Sequence, residues 1–208
     1  MPTHSCFSSS IKHKKILTPK ADKVLWEQLN SETLSLSQSD IDGQDWSIEN
    51  YPNGYTSYSS VDQLHLSSPS FKKLEQLISK EVLNFCKELD FDLKKPKEQI
   101  YIQNMWLNVN STNSYHSMHL HPGSTISGTF YLQCPKGSGQ LKFENPLLDK
   151  KMACPPRKAE SSKNPDHLYF SPKAGYIILF ESFLRHEVEC HQALKERVSI
   201  SFNYHWRE

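Results

Sequence analysis

The residues most able to do chemistry are three histidines: His119 and His121, two apart, and His186 far downstream, followed by Arg197-Val-Ser199. On a β-strand, residues i and i+2 point to the same side of the sheet. His119 and His121 on one strand would therefore reach a common point, and a later strand can carry His186 to it. Imidazole suits Fe, Zn, Cu and Ni, so three converging rings read as a transition-metal site with open coordination positions. Arg197 lies on the next strand, where a fixed guanidinium can hold a carboxylate through paired hydrogen bonds. This set points to a metal acting on a bound carboxylate cosubstrate.

Each residue also has a plainer reading. A single histidine in a strand is more often an ordinary core or surface residue than a ligand. The His119 and His121 pair stands out because Pro122-Gly123 follows, where a strand ends and its mouth opens. His116 has the opposite parity on a continuous strand and should point away from the metal, unless a bulge intervenes. His186 could simply face solvent beside Glu187 and Glu189, and Arg197 could point outward to Glu196 or Glu187. Against the outward reading, Arg197 and Ser199 alternate with Val198, Ile200 and Phe202. An arginine turned inward is costly unless its charge is paired, so it would call for an anion.

These residues need a rigid frame, and the sequence pattern supplies one. The polar first 20 residues read as mobile, with one strand around Ile11 to Leu17. Leu25 and Leu29, with Val24 and Trp26 beside them, predict a helix over Ala21 to Ser35. Gly43 to Ser60, rich in Gly, Asn, Tyr and Ser, reads as irregular, with a turn at Asn53-Gly54. Ser68-Pro69 looks like a helix cap with proline in the first turn. Phe71, Leu74, Leu77, Ile78, Val82, Phe85 and Leu89 then form one apolar stripe suited to covering a sheet. From Lys97 onward short strands follow: Tyr101 to Asn110, Thr125 to Cys134, Gln140 to Glu144, His167 to Phe170, Tyr176 to Phe180, His186 to Cys190 and Arg197 to Trp206. Asn145 to Asp166, rich in Pro and Lys, reads as a long surface excursion, and with the loop Asn110 to His116 it is expected to shape substrate entry. The fold class expected is mainly β, a double-stranded β-helix (jelly roll) with N-terminal helices packed on one sheet. One domain over 1–208 is expected, with 1–96 as helical and irregular support and 97–208 as the core that carries the metal site.

Composition narrows the function classes. At 208 residues the chain can bury a real core. Its 24 Lys+Arg balance 23 Asp+Glu, so neither a nucleic-acid partner nor a charged tail is expected. The longest apolar run, Tyr176 to Phe180, is too short to span a bilayer, and Met1 to Phe7 has no signal-peptide core. No membrane association is expected. Five widely spaced cysteines without a CxxC pair fit reduced thiols in the cytoplasm. A small molecule or a protein is the expected substrate, and a homodimer is compatible with the chain.

Four segments carry a resemblance to a known family: Trp106-Leu-Asn-Val-Asn110, His119-Leu-His-Pro-Gly-Ser-Thr-Ile-Ser-Gly128, Phe180-Glu-Ser-Phe-Leu-Arg-His186 and Glu196-Arg-Val-Ser-Ile-Ser-Phe-Asn203. Together they resemble the Fe(II)- and 2-oxoglutarate-dependent oxygenases, in particular a family of bacteria and phages. The likeness spans mainly Tyr101 to Trp206, with Gly54-Tyr-Thr-Ser57 as a weaker upstream echo. It implies Fe(II) held by His119, His121 and His186, and 2-oxoglutarate held through its far carboxylate by Arg197 with Ser199. It also implies O2 as co-reactant and hydroxylation of a C–H bond with release of succinate and CO2. Asn108, Asn110 and Tyr131 are further pocket candidates. His121 departs from the pattern, because most of the superfamily has Asp or Glu there. An imidazole leaves the site one unit more positive. Two other readings share the histidines: a cupin-like three-histidine metalloenzyme without 2-oxoglutarate, and a jelly-roll binding module that does no chemistry. Arg197-Val-Ser199 separates the first of them from an oxygenase, since an enzyme without an oxo acid has little need of that anchor.

Overall fold

A computed structural model describes residues 8–155 and 165–208. Expectations for Met1 to Phe7 and for the middle of the Asn145 to Asp166 excursion lie outside the described residues. In chain order the elements are β1 (Ile11–Lys15), α1 (Lys23–Ser39), α2 (Ile41–Asn50), β2 (Gly54–Thr56), α3 (Pro69–Glu88), the short α4 (Pro96–Gln99) and β3 (Ile100–Asn110). They continue with β4 (His116–His119), β5 (Ile126–Gln133), β6 (Leu141–Glu144), β7 (His167–Phe170), β8 (Tyr176–Glu181), β9 (His186–Val188) and β10 (Arg197–Trp206).

The strands form two antiparallel sheets, ordered β1-β8-β5-β10-β3-β2 and β4-β9-β6-β7. This is the expected double-stranded β-helix. The larger sheet takes its outer strands, β1 and β2, from the first 96 residues, so that segment supplies sheet as well as cover. Helix α3 begins as its sequence predicts, with Ser68 accepting a hydrogen bond from the Phe71 N–H at 3.3 Å and Pro69 in the first turn.

Two-residue alternation divides each central strand between two duties. On β3, Met105, Leu107 and Val109 join Val198, Ile200, Phe202 and Tyr204 of β10 against Phe71, Leu74, Ile78, Val82 and Phe85 of α3 in one large core. The alternate residues, Trp106 and Asn108 with Arg197, Ser199 and Ser201, face a cavity between the sheets. The apolar cluster on that inner side is small: Tyr131, Leu141, Phe143, Ile178, Phe180 and Leu184. Burial between helix and sheet supplies most of the hydrophobic stabilisation. The space between the sheets is thereby left free to hold polar groups.

One helix escapes the sequence reading. Ile41–Asn50 starts just before the stretch read as irregular and runs into it, capped by Asp40, whose carboxylate accepts from the Gly43 N–H at 3.1 Å. Its buried residues are Gly43 and Ser47, whereas Ile41, Trp46 and Ile48 are exposed. Such a helix has no inward apolar stripe to detect. Among the described residues, no helix is long and apolar enough to cross a membrane.

Candidate metal and cosubstrate site

Pairing of β4 with β9 sets His119 directly opposite His186, with ring centres 4.2 Å apart. Residues facing each other across an antiparallel pair are close enough for their side chains to meet. His121 reaches the same place differently from the sequence expectation. Strand β4 ends at His119, so His121 belongs to the following turn and not to a shared strand face. Its position is fixed by its own N–H donating to the Ser182 carbonyl at 3.2 Å, and by its carbonyl accepting from the Ser124 N–H at 3.2 Å. Ligand nitrogens of His119, His121 and His186 all lie within 4.8 Å of one another.

The parity argument for His116 also fails, for the reason that would undo it. A register irregularity separates His116 from His119 along the β4–β9 pair. That bulge turns the His116 ring inward, stacked on His119 with 4.1 Å between ring centres. Its nitrogens still do not join the set of three.

The hydrogen bonds of the three rings fit a cation. His119 Nδ1 lies 2.7 Å from the Ser117 carbonyl, and His186 Nδ1 lies 2.8 Å from the Leu184 carbonyl. A carbonyl can only accept, so both Nδ1 atoms carry the proton and both Nε2 atoms keep a free lone pair. This orienting bond is the one metal-bound histidines ordinarily make. His121 Nε2 stands 3.3 Å from His186 Nε2, and the His121 ring is also hydrogen-bonded to the Asn203 side chain. Burial, then the neighbouring rings, pushes the pKa down to about 3 at His116, about 4 at His121 and about 2 at His186. Burial lowers His119 too. The rings are therefore neutral near pH 7, the form that binds a metal. Phe143 and Phe180 pack around His186, and Trp106 stacks on His121 at 6.1 Å.

Arg197 occupies the same cavity and is only 1% exposed, which excludes the outward reading. Glu187 pairs with Lys142 at 2.8 Å instead. The Arg197 guanidinium donates from one terminal nitrogen to Asn110 Oδ1 at 2.7 Å and Ser199 Oγ at 3.1 Å, and its carbon sits 5.1 Å from the centre of the Tyr131 ring. Its Nε is buried without a partner, and among the described residues no carboxylate comes within ion-pair distance. The Tyr131 hydroxyl and Thr129 Oγ1 are buried without a hydrogen-bond partner as well. Burial raises the Tyr131 pKa, so its hydroxyl stays a donor. A buried cation beside donors without acceptors is the environment an anion would complete.

Of the remaining candidates, Asn108 lines the cavity but is engaged on both sides. It accepts from Thr56 Oγ1 at 2.9 Å and donates to Ser201 Oγ at 3.0 Å. Asn110 bridges Arg197 and Tyr51, donating to the Tyr51 hydroxyl at 3.1 Å. The sequence reading passed over Tyr51 and Thr129, which both line the cavity, and Asn203. Thr129 shares its parity on β5 with Tyr131, and Asn203 shares its parity on β10 with Arg197, so alternation alone could have found them. Tyr51 follows α2 and carries no such signal. The cavity adjoins a groove flanked by Trp46, Tyr58, Trp106 and Leu120.

Residues 104–203 match the family described as "Putative 2OG-Fe(II) oxygenase". Among curated proteins none matches. Among solved structures, a prolyl-4-hydroxylase from Pseudomonas putida is 14% identical over 97% of this chain and 95% of that one, with a TM-score of 0.61. HygX from Streptomyces hygroscopicus, with nickel and 2-oxoglutarate bound, is 12% identical over 95% and 83%, at 0.63. The viral collagen prolyl hydroxylase of Paramecium Bursaria Chlorella virus-1, in its 2-oxoglutarate complex, is 12% identical over 95% and 96%, at 0.57. At such identities the structural likeness speaks to the fold, while the family match spans all three converging histidines and Arg197. Residues 104–203, the stretch that carries the site, are thus similar to a family of 2OG-Fe(II) oxygenases.

Proposed function

We propose that this oxygenase hydroxylates a C–H bond of a small-molecule or protein substrate, consuming 2-oxoglutarate and O2 and releasing succinate and CO2. In this reading His119, His121 and His186 hold Fe(II). Arg197, with Ser199 and Tyr131, holds the far carboxylate of 2-oxoglutarate, and Asn108 shapes the wall between them. The observation that carries it is a buried guanidinium with no carboxylate partner among the described residues, in the same cavity as three imidazoles whose ligand nitrogens converge.

When bound, the iron and the oxo acid supply the oxidising chemistry. The residues supply everything else. The Ser117 and Leu184 carbonyls orient two of the ligand rings, while Phe143, Phe180 and Trp106 keep water from the triad. Tyr131 and Arg197 offer N–H and O–H donors to the incoming anion. His121, being neutral, leaves the charge of Fe(II) to be balanced by the dianionic oxo acid alone. Among the described residues, no Lys, Arg, Asp or Glu lines the outer groove. That favours a substrate whose reacting segment is uncharged and flanked by flat or apolar surface, which Trp46, Tyr58 and Trp106 would cover.

The test is anaerobic addition of Fe(II) and 2-oxoglutarate to the purified protein, followed by its metal-to-ligand charge-transfer absorption. The band should form in the wild type and be lost in Arg197→Ala, and O2 should then yield succinate from the wild type alone. A band that survives Arg197→Ala would overturn the anchor assignment, and metal-dependent oxidation without any oxo acid would favour the three-histidine alternative. We assign the protein to the cytoplasm on its five widely spaced cysteines.

A further inference from the structure

His116 lies against the triad without belonging to it. Its ring stacks on His119 at 4.1 Å with 29° between planes, and it meets Tyr51 edge-on at 5.2 Å. Unlike His119 and His186, it has no hydrogen bond to either ring nitrogen among the described residues. A neutral imidazole carries one N–H donor and one acceptor, and neither ring nitrogen of the half-buried His116 is engaged by the protein, so both are available to a molecule in the cavity. His116 lines both the inner cavity and the outer groove, so the ring stands at the seam between them.

A continuous wall leads from the anchor to the metal ligands through this ring. Arg197 bonds Asn110 at 2.7 Å, Asn110 bonds the Tyr51 hydroxyl at 3.1 Å, Tyr51 touches His116, and His116 stacks on His119. A molecule held at one end by Arg197 and at the other by the triad lies in the cavity that Tyr51 and His116 line. We propose that His116 contacts the cosubstrate, its ring N–H donating to a carboxylate oxygen of bound 2-oxoglutarate. The inference rests on the 2-oxoglutarate reading above and adds to it a residue outside the metal and anchor sets.

Anaerobic titrations of the full chain with Fe(II), and then with 2-oxoglutarate, test it in wild type, His116→Ala, His116→Asn and His119→Ala. Fe(II) affinity should stay within about three-fold in His116→Ala, which also certifies its fold, and should collapse in His119→Ala. The 2-oxoglutarate affinity of the Fe(II)-loaded His116→Ala protein should fall about ten- to a hundred-fold, the value of a hydrogen bond to a charged group. Its charge-transfer band should shift. His116→Asn, which keeps an N–H donor, should recover most of the loss. Metal affinity lost as heavily in His116→Ala as in His119→Ala would make His116 a ligand and overturn the proposal. Unchanged 2-oxoglutarate affinity would overturn it equally. A wild-type protein that binds Fe(II) but no 2-oxoglutarate would refute the parent reading, and this proposal with it.

Discussion

Replacing Arg197 by methionine should separate stability from binding. The guanidinium is buried, with two hydrogen bonds to neutral oxygens and no opposing charge. Removing it relieves a desolvation penalty of several kcal/mol, the effective cost of burying an ion. Against this stand two hydrogen bonds from a charged donor, roughly 1.5–3 kcal/mol each, and an Asn110 carbonyl left short of a partner. These opposing terms are of similar size. Arg197→Met should therefore leave the metal-free protein within about 2 kcal/mol of wild type, a shift of no more than roughly 4–8 °C in Tm for a chain of this length. Breaking a true buried ion pair would cost about 3–5 kcal/mol instead. Cosubstrate binding has no such compensation, because the far carboxylate loses its buried cationic partner. A loss of about 2–5 kcal/mol, roughly thirty-fold to several thousand-fold, is expected in the 2-oxoglutarate dissociation constant. Thermal melts of the metal-free protein, with calorimetric titration of the Fe(II) form under argon, measure the two effects separately. A variant that unfolds far more readily yet binds 2-oxoglutarate normally would show Arg197 to be a structural residue and refute the reasoning.

Three other outcomes follow from the same geometry. His186→Ala should weaken Fe(II) binding by an order of magnitude or more, whereas His116→Ala should not; metal titration of the pair decides, and equal losses would refute the ligand assignment. The folded, metal-free chain keeps His116, His121 and His186 neutral down to about pH 3, 4 and 2, while the unfolded chain protonates near 6.5. Below pH 6.5 the unfolded state therefore binds more protons, so stability is complete above that pH and falls as pH drops. The slope is about 1.4 kcal/mol per unit for each such ring, and urea midpoints at pH 7.5 and 5.5, flat if the rings are in fact hydrated, would measure it. Gly128→Ala would put a Cβ 2.5 Å from the Ile178 carbonyl oxygen and 2.7 Å from the Phe202 ring. A loss of about 1–3 kcal/mol is expected, visible as a drop of several degrees in Tm, and an unchanged melt would mean that strands β5 and β8 give way more easily than their pairing suggests.

What was legible in the sequence follows from which signals are local. Helix α3 announces itself through Ser68-Pro69 and its apolar stripe, because cap and period lie within one segment. Arg197 and Ser199 could be turned inward from alternation with Val198, Ile200 and Phe202, since β10 runs regularly along them. The path of β4 was not legible. Its register slips between His116 and His119, and the strand stops before His121, so the two-residue rule that grouped the histidines did not describe how they meet. His121 is set by a local turn bond with Ser124 and by a backbone bond to the distant Ser182, and the second of these no two-residue rule can show. Helix α2 stayed hidden for a related reason: it buries a glycine and a serine and leaves Ile48 80% exposed, the reverse of the amphipathic rule. Tyr51, which follows that helix, was lost with it.

The three-imidazole set has a consequence for how metal and cosubstrate depend on each other. Metal-free, the cavity already holds one unpaired cation in Arg197, and its histidines resist protonation partly because each neighbour would repel another charge. On the proposed ligand set, Fe(II) bound by three neutral imidazoles would add two positive charges with nothing from those ligands to offset them. With a carboxylate at position 121 part of that charge would be cancelled before the oxo acid arrived. Here the dianion must cancel it, so the metal and the cosubstrate each make the cavity more favourable to the other. Such coupling is reciprocal: whatever factor Fe(II) adds to 2-oxoglutarate affinity, 2-oxoglutarate must add to Fe(II) affinity. As a ligand, the imidazole at 121 would thus move affinity out of the metal-binding step and into the joint binding of cation and dianion. That division would suit a cavity whose buried arginine has no carboxylate partner among the described residues.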